Sequence, residues 1–326
     1  MLIQRKLLIF LMLNIFCLIL FLSGCSNKNK IKYQIEQIPA DIKFDRFDLK
    51  FVSIKKEEFQ EFKKKYNYLF PAQFPDSVWM KRKNDSIQNL LHSEVNNIFP
   101  SLVNLEKESE DIYRHFIYYF PLTKIPKFLT LTNNVDYQNK IIFADSIVLI
   151  SLDTFLGSTN KIYDGVPNYI KTDMDKSRFG SILVDEIAKT IVKRPTNRFF
   201  LDRIIYHGKI HLLKDFIIPL SSDGNKIGYS NQQINWAKQN EEYIWKYFIE
   251  NEYLFDTSDN LIDRFINPAP FSKFYLEIDN ESPGKIGQWI GWQILRSFSK
   301  KNPFLNISEI LNLSSEEIFK KANYKP

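Results

Sequence analysis

Residues 38–54, IPADIKFDRFDLKFVSI, set apolar and polar side chains in near alternation, the two-residue period of a strand with one face buried. The period then lengthens. In KKEEFQEFKKKYNYLF (55–70) apolar residues recur every three or four positions, which predicts a helix ended by Pro71 and Pro75. Further helices are predicted over 84–91 and over SEDIYRHFIYYF (109–120), the latter closed by Pro121. The next three runs, KFLTLTNN (127–134), NKIIFADS (139–146) and IVLISLDTF (147–155), are rich in β-branched and aromatic residues and are parted by Asn and Asp, so they predict neighbouring strands of a small sheet.

Beyond Gly157 the helical period takes over. In DKSRFGSILVDEIAKTIVKR the residues Phe179, Ile182, Leu183, Ile187 and Ile191 form one stripe, predicting a helix over 177–194. Helices follow over 197–214, over 231–250 (NQQINWAKQNEEYIWKYFIE) and along GKIGQWIGWQILRSFSKKN, with a short last one over 315–322. No internal repeat and no low-complexity linker marks a boundary. The pattern therefore gives one α+β domain over 38–326, mostly helical with a small β-sheet.

The opening thirty residues are of another kind. Arg5 and Lys6 precede an apolar run from Leu7 to Leu22 and a small-residue junction, the anatomy of a secretory signal. The junction LSGC resembles the bacterial lipobox, so 1–24 reads as a signal peptide and Cys25 as the acylated first residue, carrying palmitate-type chains. Residues 25–37 then form a polar tether, with Lys28, Lys30 and Lys32 placed to meet anionic headgroups. Of the two cysteines, Cys17 falls in the signal and Cys25 takes lipid, which leaves the exported body without thiols. Its stability must come from a core. The 44% hydrophobic and 15% aromatic content supplies one, and the low count of 10 glycines favours long helices over many-turned β folds. Without Arg5 and Lys6 the chain has 42 basic and 38 acidic residues, a net +4 that is too mild to indicate a nucleic-acid partner.

Two neighbouring helices hold the candidate chemistry. Gluzincin peptidases place His-Glu-x-x-His on one helix and a third zinc ligand on the next, leaving the fourth position open for water. Here the first helix reads Asp185-Glu186-Ile187-Ala188-Lys189, with Glu186 at the place of the general base and Asp185 and Lys189 at those of the histidines. His207 stands at a third-ligand distance along the chain, and His211 follows one turn later on the same face. Lys189 is a cation and repels a divalent metal from the site it would have to occupy. Asp185, His207 and His211 form the alternative ligand set. The plainer reading of Asp185 and Glu186 is a salt-bridged helix face, and no catalytic residue, metal or cofactor is assigned. His115 reads as structural, and Asp45 and Asp48 flank Arg46 for a local ion pair. In SPGKIGQWIGWQ the glycines lack phosphate-loop spacing and read as packing positions beside Trp289 and Trp292.

Taken together, FLGSTNKIYDGVPNYI, FLDRIIYHGKIHLL, IGYSNQQINWAKQNEEYIW, RFINPAPFSKF, SPGKIGQWIGWQILRSF and the closing ANYKP resemble the gliding motility-associated lipoprotein GldB family. The resemblance begins at the lipobox and covers nearly all of the mature chain. It implies a lipid-anchored envelope protein needed for bacterial surface gliding, with other gliding-machinery proteins as partners and no defined catalytic activity. A fainter likeness to predicted zinc-dependent proteases implies a degenerate gluzincin-type metallopeptidase scaffold whose cleft retains Asp185, Glu186, Lys189, His207 and His211 without the metal. The basic, polar residues after Cys25 carry no acidic surface-export run, which gives a periplasm-facing body. Two further readings stand beside a non-enzymatic gliding component. One is a divergent metallohydrolase using Glu186 and His207; the other is a glycan binder using aromatic faces such as those of Trp236, Tyr243 and Trp245.

Overall fold

The structure is a computed structural model and describes residues 29–326 apart from Asp145 and Ile278. The signal segment, Cys25 and Lys28 lie outside the described residues. Residues 29–36, expected as tether, form two turns of helix with Ile35 buried in contact with the body. The strand expected over 38–54 does not form as such: only β1 (Phe44–Asp45) pairs in the sheet, and helix α1 (Phe47–Ser53) follows at once. The reason is that Phe47 and Phe51 are four apart as well as an even number apart. Their rings stack at 5.6 Å on one helix face and meet Phe62 and Phe70 from α2 (Phe59–Lys65) and the turn beyond it.

Next come α3 (Asp76–Lys83), α4 (Ser86–Ile98) and α5 (Val103–Tyr119). The three expected strands are present as β2 (Lys127–Leu131), β3 (Ile141–Ala144) and β4 (Ile147–Ser151). They join β1 in a four-stranded sheet of order β1-β2-β4-β3, parallel except for the β3–β4 hairpin. Alternation along the strands divides the sheet's two faces. Leu129 and Leu149 pack on the small aromatic cluster of Phe51, Phe59, Phe62, Tyr66 and Phe70. Phe128, Val148 and Ile150 turn the other way into the main helical core.

That core is built on α6 (Phe179–Ile191), α7 (Phe200–Ile217) and α12 (Ile286–Lys301). Around them lie α8 (Asp223–Ile227), α9 (Asn231–Gln239), α10 (Glu241–Glu250), α11 (Asp259–Phe265), α13 (Ile307–Asn312) and α14 (Ser315–Ala322). The single helix expected over 231–250 is thus two, because Asn240 ends α9 by donating from Nδ2 to the Trp236 carbonyl (2.9 Å) and turns the chain into α10. Among the described residues no helix is long and apolar enough to cross a membrane.

Helices α7 and α12 cross at backbone contact. A Cβ on Gly291 would overlap the Ile204 carbonyl, and one on Gly208 would overlap the Gly291 carbonyl. The glycines of SPGKIGQWIGWQ thus serve packing, with Trp289 and Trp292 fully buried alongside. At the far end of the crossing, Asp215 accepts from Trp292 Nε1 (2.9 Å), Lys226 (2.8 Å) and Arg296 (2.8 Å). Arg296 also pairs with Asp223 (2.7 Å) and lies 3.8 Å above the Trp292 ring, so the two helices are joined by packing and by charge. Gly291→Ala is expected to destabilise the fold by about 3 kcal/mol or to prevent folding, since backbone rather than a flexible side chain stands in the way. Chemical denaturation at unchanged stability would contradict this description of the crossing.

Candidate functional site

Helices α6 and α7 lie side by side and bring the five sequence-selected residues into one polar seam. Each carboxylate there is already engaged. Asp185 accepts from Lys214 Nζ at 2.7 Å, and Glu186 accepts from Lys189 Nζ at 2.5 Å on the exposed edge of α6. Lys214 has no exposed surface, and its ammonium also donates to Ser181 Oγ (3.0 Å) and the Lys226 carbonyl (2.5 Å). Burial pushes its pKa down to about 8, against the pull of Asp185.

The histidines sit deeper. His211 is buried, its Nε2 donates to Gln288 Oε1 (3.0 Å), and its ring lies 5.3 Å from that of Trp292. Burial pushes its pKa well below the ordinary value, and the Lys214 charge adds to this. Its Nδ1 has no hydrogen-bond partner among the described residues. His207 is half-buried, and desolvation pushes its pKa down to about 4 although Asp185 pulls it up. Both imidazoles are therefore neutral at pH 7. Among the described residues no group of three or more His, Cys, Asp or Glu side chains stands at metal-binding distances. Asp185, His207 and His211 do not assemble as a ligand set, because Lys214 draws the Asp185 carboxylate into an ion pair.

The other expectations resolve simply. Arg46 pairs with Asp48 (2.7 Å), and Asp45 takes Lys50 (2.6 Å). His115 bonds the Asp111 carbonyl through Nδ1 (2.8 Å), a local structural role. Of the aromatic stripe, Trp245 is buried against Tyr324 and Phe319, Trp236 is half-buried and Tyr243 is exposed.

Beside the seam lies a cavity of about 490 Å³ that the sequence reading missed. Its wall includes Tyr169, Asp173, Gly228, Tyr229, Gln233, Asn267, Gly284, Lys285 and Lys140. Apart from Asp173, which follows the first of them, and Lys140, in the loop around Tyr137, these come from four of the segments that carry the family resemblance. Gly228, at φ +81, ends α8 in the left-handed conformation and lets charged groups converge. A Cβ there would meet Asp173 Oδ1 at 2.8 Å, Arg178 Nη2 at 2.9 Å and Lys285 Nζ at 3.4 Å. Asp173 pairs with Arg178 (2.9 Å). Burial raises its pKa, but Lys285, Arg178 and Lys140 outweigh burial and hold it below the usual carboxylate value. Lys140 is pushed below the usual lysine range, first by burial and then by Lys285 and Arg178, with Asp173 opposing. A second, smaller cavity of about 380 Å³ lies between α1, α3, α4 and the sheet, and its wall takes Asp136 and Asn139 from the same loop that gives Tyr137 and Lys140 to the first.

The model of the family described as gliding motility protein GldB matches residues 28–326. The chain belongs to the GldB gliding motility family. This family is one of gliding-motility lipoproteins, in keeping with an envelope location and association with a membrane. No curated protein and no solved structure matches the chain. In this GldB-family chain the sequence signal for the cavity was present but scattered. Lys285 lies in a segment dismissed as a phosphate loop for its spacing, and Lys140 and Asp173 are single residues far from it in sequence.

The depressed His207 pKa fixes a pH response. The unfolded chain takes up a proton below about 6.5, whereas the folded His207 does so only near 4. Between those values the unfolded state binds more protons, so stability falls as pH drops. Replacing His207 by Gln should remove about 1 to 2 kcal/mol of the loss between pH 6.5 and 4.5. Urea midpoints of the two proteins across that range measure it, and parallel curves would contradict a neutral His207.

Proposed function

We propose that this chain is a lipoprotein component of the gliding apparatus, anchored through acylated Cys25 with its body in the periplasm, and that it works by binding rather than by catalysis. Family membership supports the motility role. The observation that carries the non-catalytic reading is the engagement of both candidate carboxylates: Glu186 is tied to Lys189 and Asp185 to Lys214. A general base needs a free lone pair facing its water, and a ligand needs a carboxylate not already neutralised by an ammonium. The partners in this reading are other envelope proteins of the machinery, reached from a membrane-held body.

A divergent metallohydrolase using Glu186 and His207 is the competing reading. Its support is the neutral His207, since an unprotonated imidazole is a competent metal ligand. The two readings separate on one substitution. Glu186→Gln keeps the shape of the side chain and removes its basicity, so gliding speed should stay at the wild-type level. Loss of gliding with normal protein level and fold would establish a catalytic Glu186 and overturn the binding reading. Cys25→Ala should abolish incorporation of labelled palmitate into the protein and stop gliding; undiminished labelling would refute the anchor.

A further inference from the structure

We propose that the cavity between the α8 turn and the start of α12 is a binding site for a phosphate-bearing ligand, held by Lys140 and Lys285. The carrying observation is unmatched positive charge in a half-open cavity. Lys140 Nζ donates to the Tyr137 carbonyl (2.8 Å), and Lys285 Nζ to the Ile227 carbonyl (3.0 Å). Neither ammonium has a carboxylate within ion-pair distance among the described residues, although each lines the cavity. Among the described residues Asp173 is the one carboxylate in the wall, and it faces Lys140, Lys285 and Arg178 together while pairing with Arg178. On the seam beside the cavity, Asp185 and Glu186 are held by Lys214 and Lys189. Three cations to one carboxylate leave a net positive charge that an anion would match.

The kind of anion follows from the donors. Arg178 is committed, with Nε on Asp173 and Nη1 on Asn225 Oδ1 (2.7 Å), so its planar fork, which would suit a carboxylate or a phosphate, is already in use. The free donors are two lysines, compact point charges suited to the several oxygens of a phosphate. Lys285 also stands at the start of the 16-residue α12, whose positive end adds to the field. It does so at φ +62, a left-handed conformation that strains a lysine backbone. A glycine would relieve that strain but remove the charge. Around the lysines, Tyr169, Tyr229, Gln233 and Asn267 offer hydroxyl, amide and ring surfaces for the rest of a ligand.

Phosphate of this kind comes from free phosphate compounds or from phospholipid headgroups, and a lipid-anchored body would meet both. The test uses the full chain in phosphate-free, zwitterion-free detergent and titrates inorganic phosphate, glycerol 3-phosphate and citrate at constant ionic strength by calorimetry. Both phosphates should bind, each at least tenfold tighter than citrate. Glycerol 3-phosphate tighter than inorganic phosphate would identify the headgroup as the source; equal or weaker binding would identify free phosphate. Lys140→Met and Lys285→Gly should each weaken binding about tenfold or more. Lys285→Gly should melt close to wild type, because relief of the backbone strain offsets the lost hydrogen bond to Ile227, so its lost binding is not lost folding. Absence of phosphate binding, citrate binding as tight as phosphate, or undiminished binding in the Lys285→Gly protein would each overturn the proposal.

Discussion

The backbone-to-backbone crossing of α7 and α12 is the constraint from which the rest of the molecule follows. It exists because Gly208 and Gly291 present no Cβ where the helices meet. With the axes this close, Trp289 and Trp292 fill the flanks and the Asp215–Arg296 pair closes the far end. The crossing also sets which face of α7 is turned where. His211 is directed at Gln288 of α12, Lys214 at Asp185 of α6, and the start of α12 is brought to the turn after α8. The seam and the cavity beside it are consequences of one helix pair.

Charge within that frame is distributed by burial. Lys214, with no exposed surface, needs a carboxylate, and it takes the residue that a metallopeptidase would use as a ligand. The same burial leaves His207 and His211 uncharged. Lys214 and Lys189 thus stand as the ion-pair partners of Asp185 and Glu186. The surplus of positive charge is displaced to the cavity lined by Lys140 and Lys285, away from the histidines that drew attention in the sequence.

Much of the architecture was legible from periodicity alone. The sheet strands at β2, β3 and β4 announced themselves by β-branched runs, and α6, α7 and α12 by apolar stripes. The misreadings have local causes. Residues 44–51 satisfy both the two-residue and the four-residue period, and only packing against Phe62 and Phe70 decides for helix. Asn240 is unremarkable within a helical pattern until its side chain caps the Trp236 carbonyl. Asp185, Glu186, Lys189, His207 and His211 were found because zinc sites have a spacing that can be read along a chain. The cavity could not be found that way, since Lys140, Asp173, Gly228 and Lys285 are joined only by the tertiary fold.

The claim on which this account turns is that lysines, and not a metal, satisfy the carboxylates of the seam. Metal content by mass spectrometry tests it most directly, on the full chain purified in detergent without chelator, offered excess zinc and then dialysed. The ion pairs at Asp185 and Glu186 predict no metal retained at stoichiometric level. One chelator-resistant zinc per chain, lost on replacing His207 by Ala, would contradict the account and make the seam a metal centre.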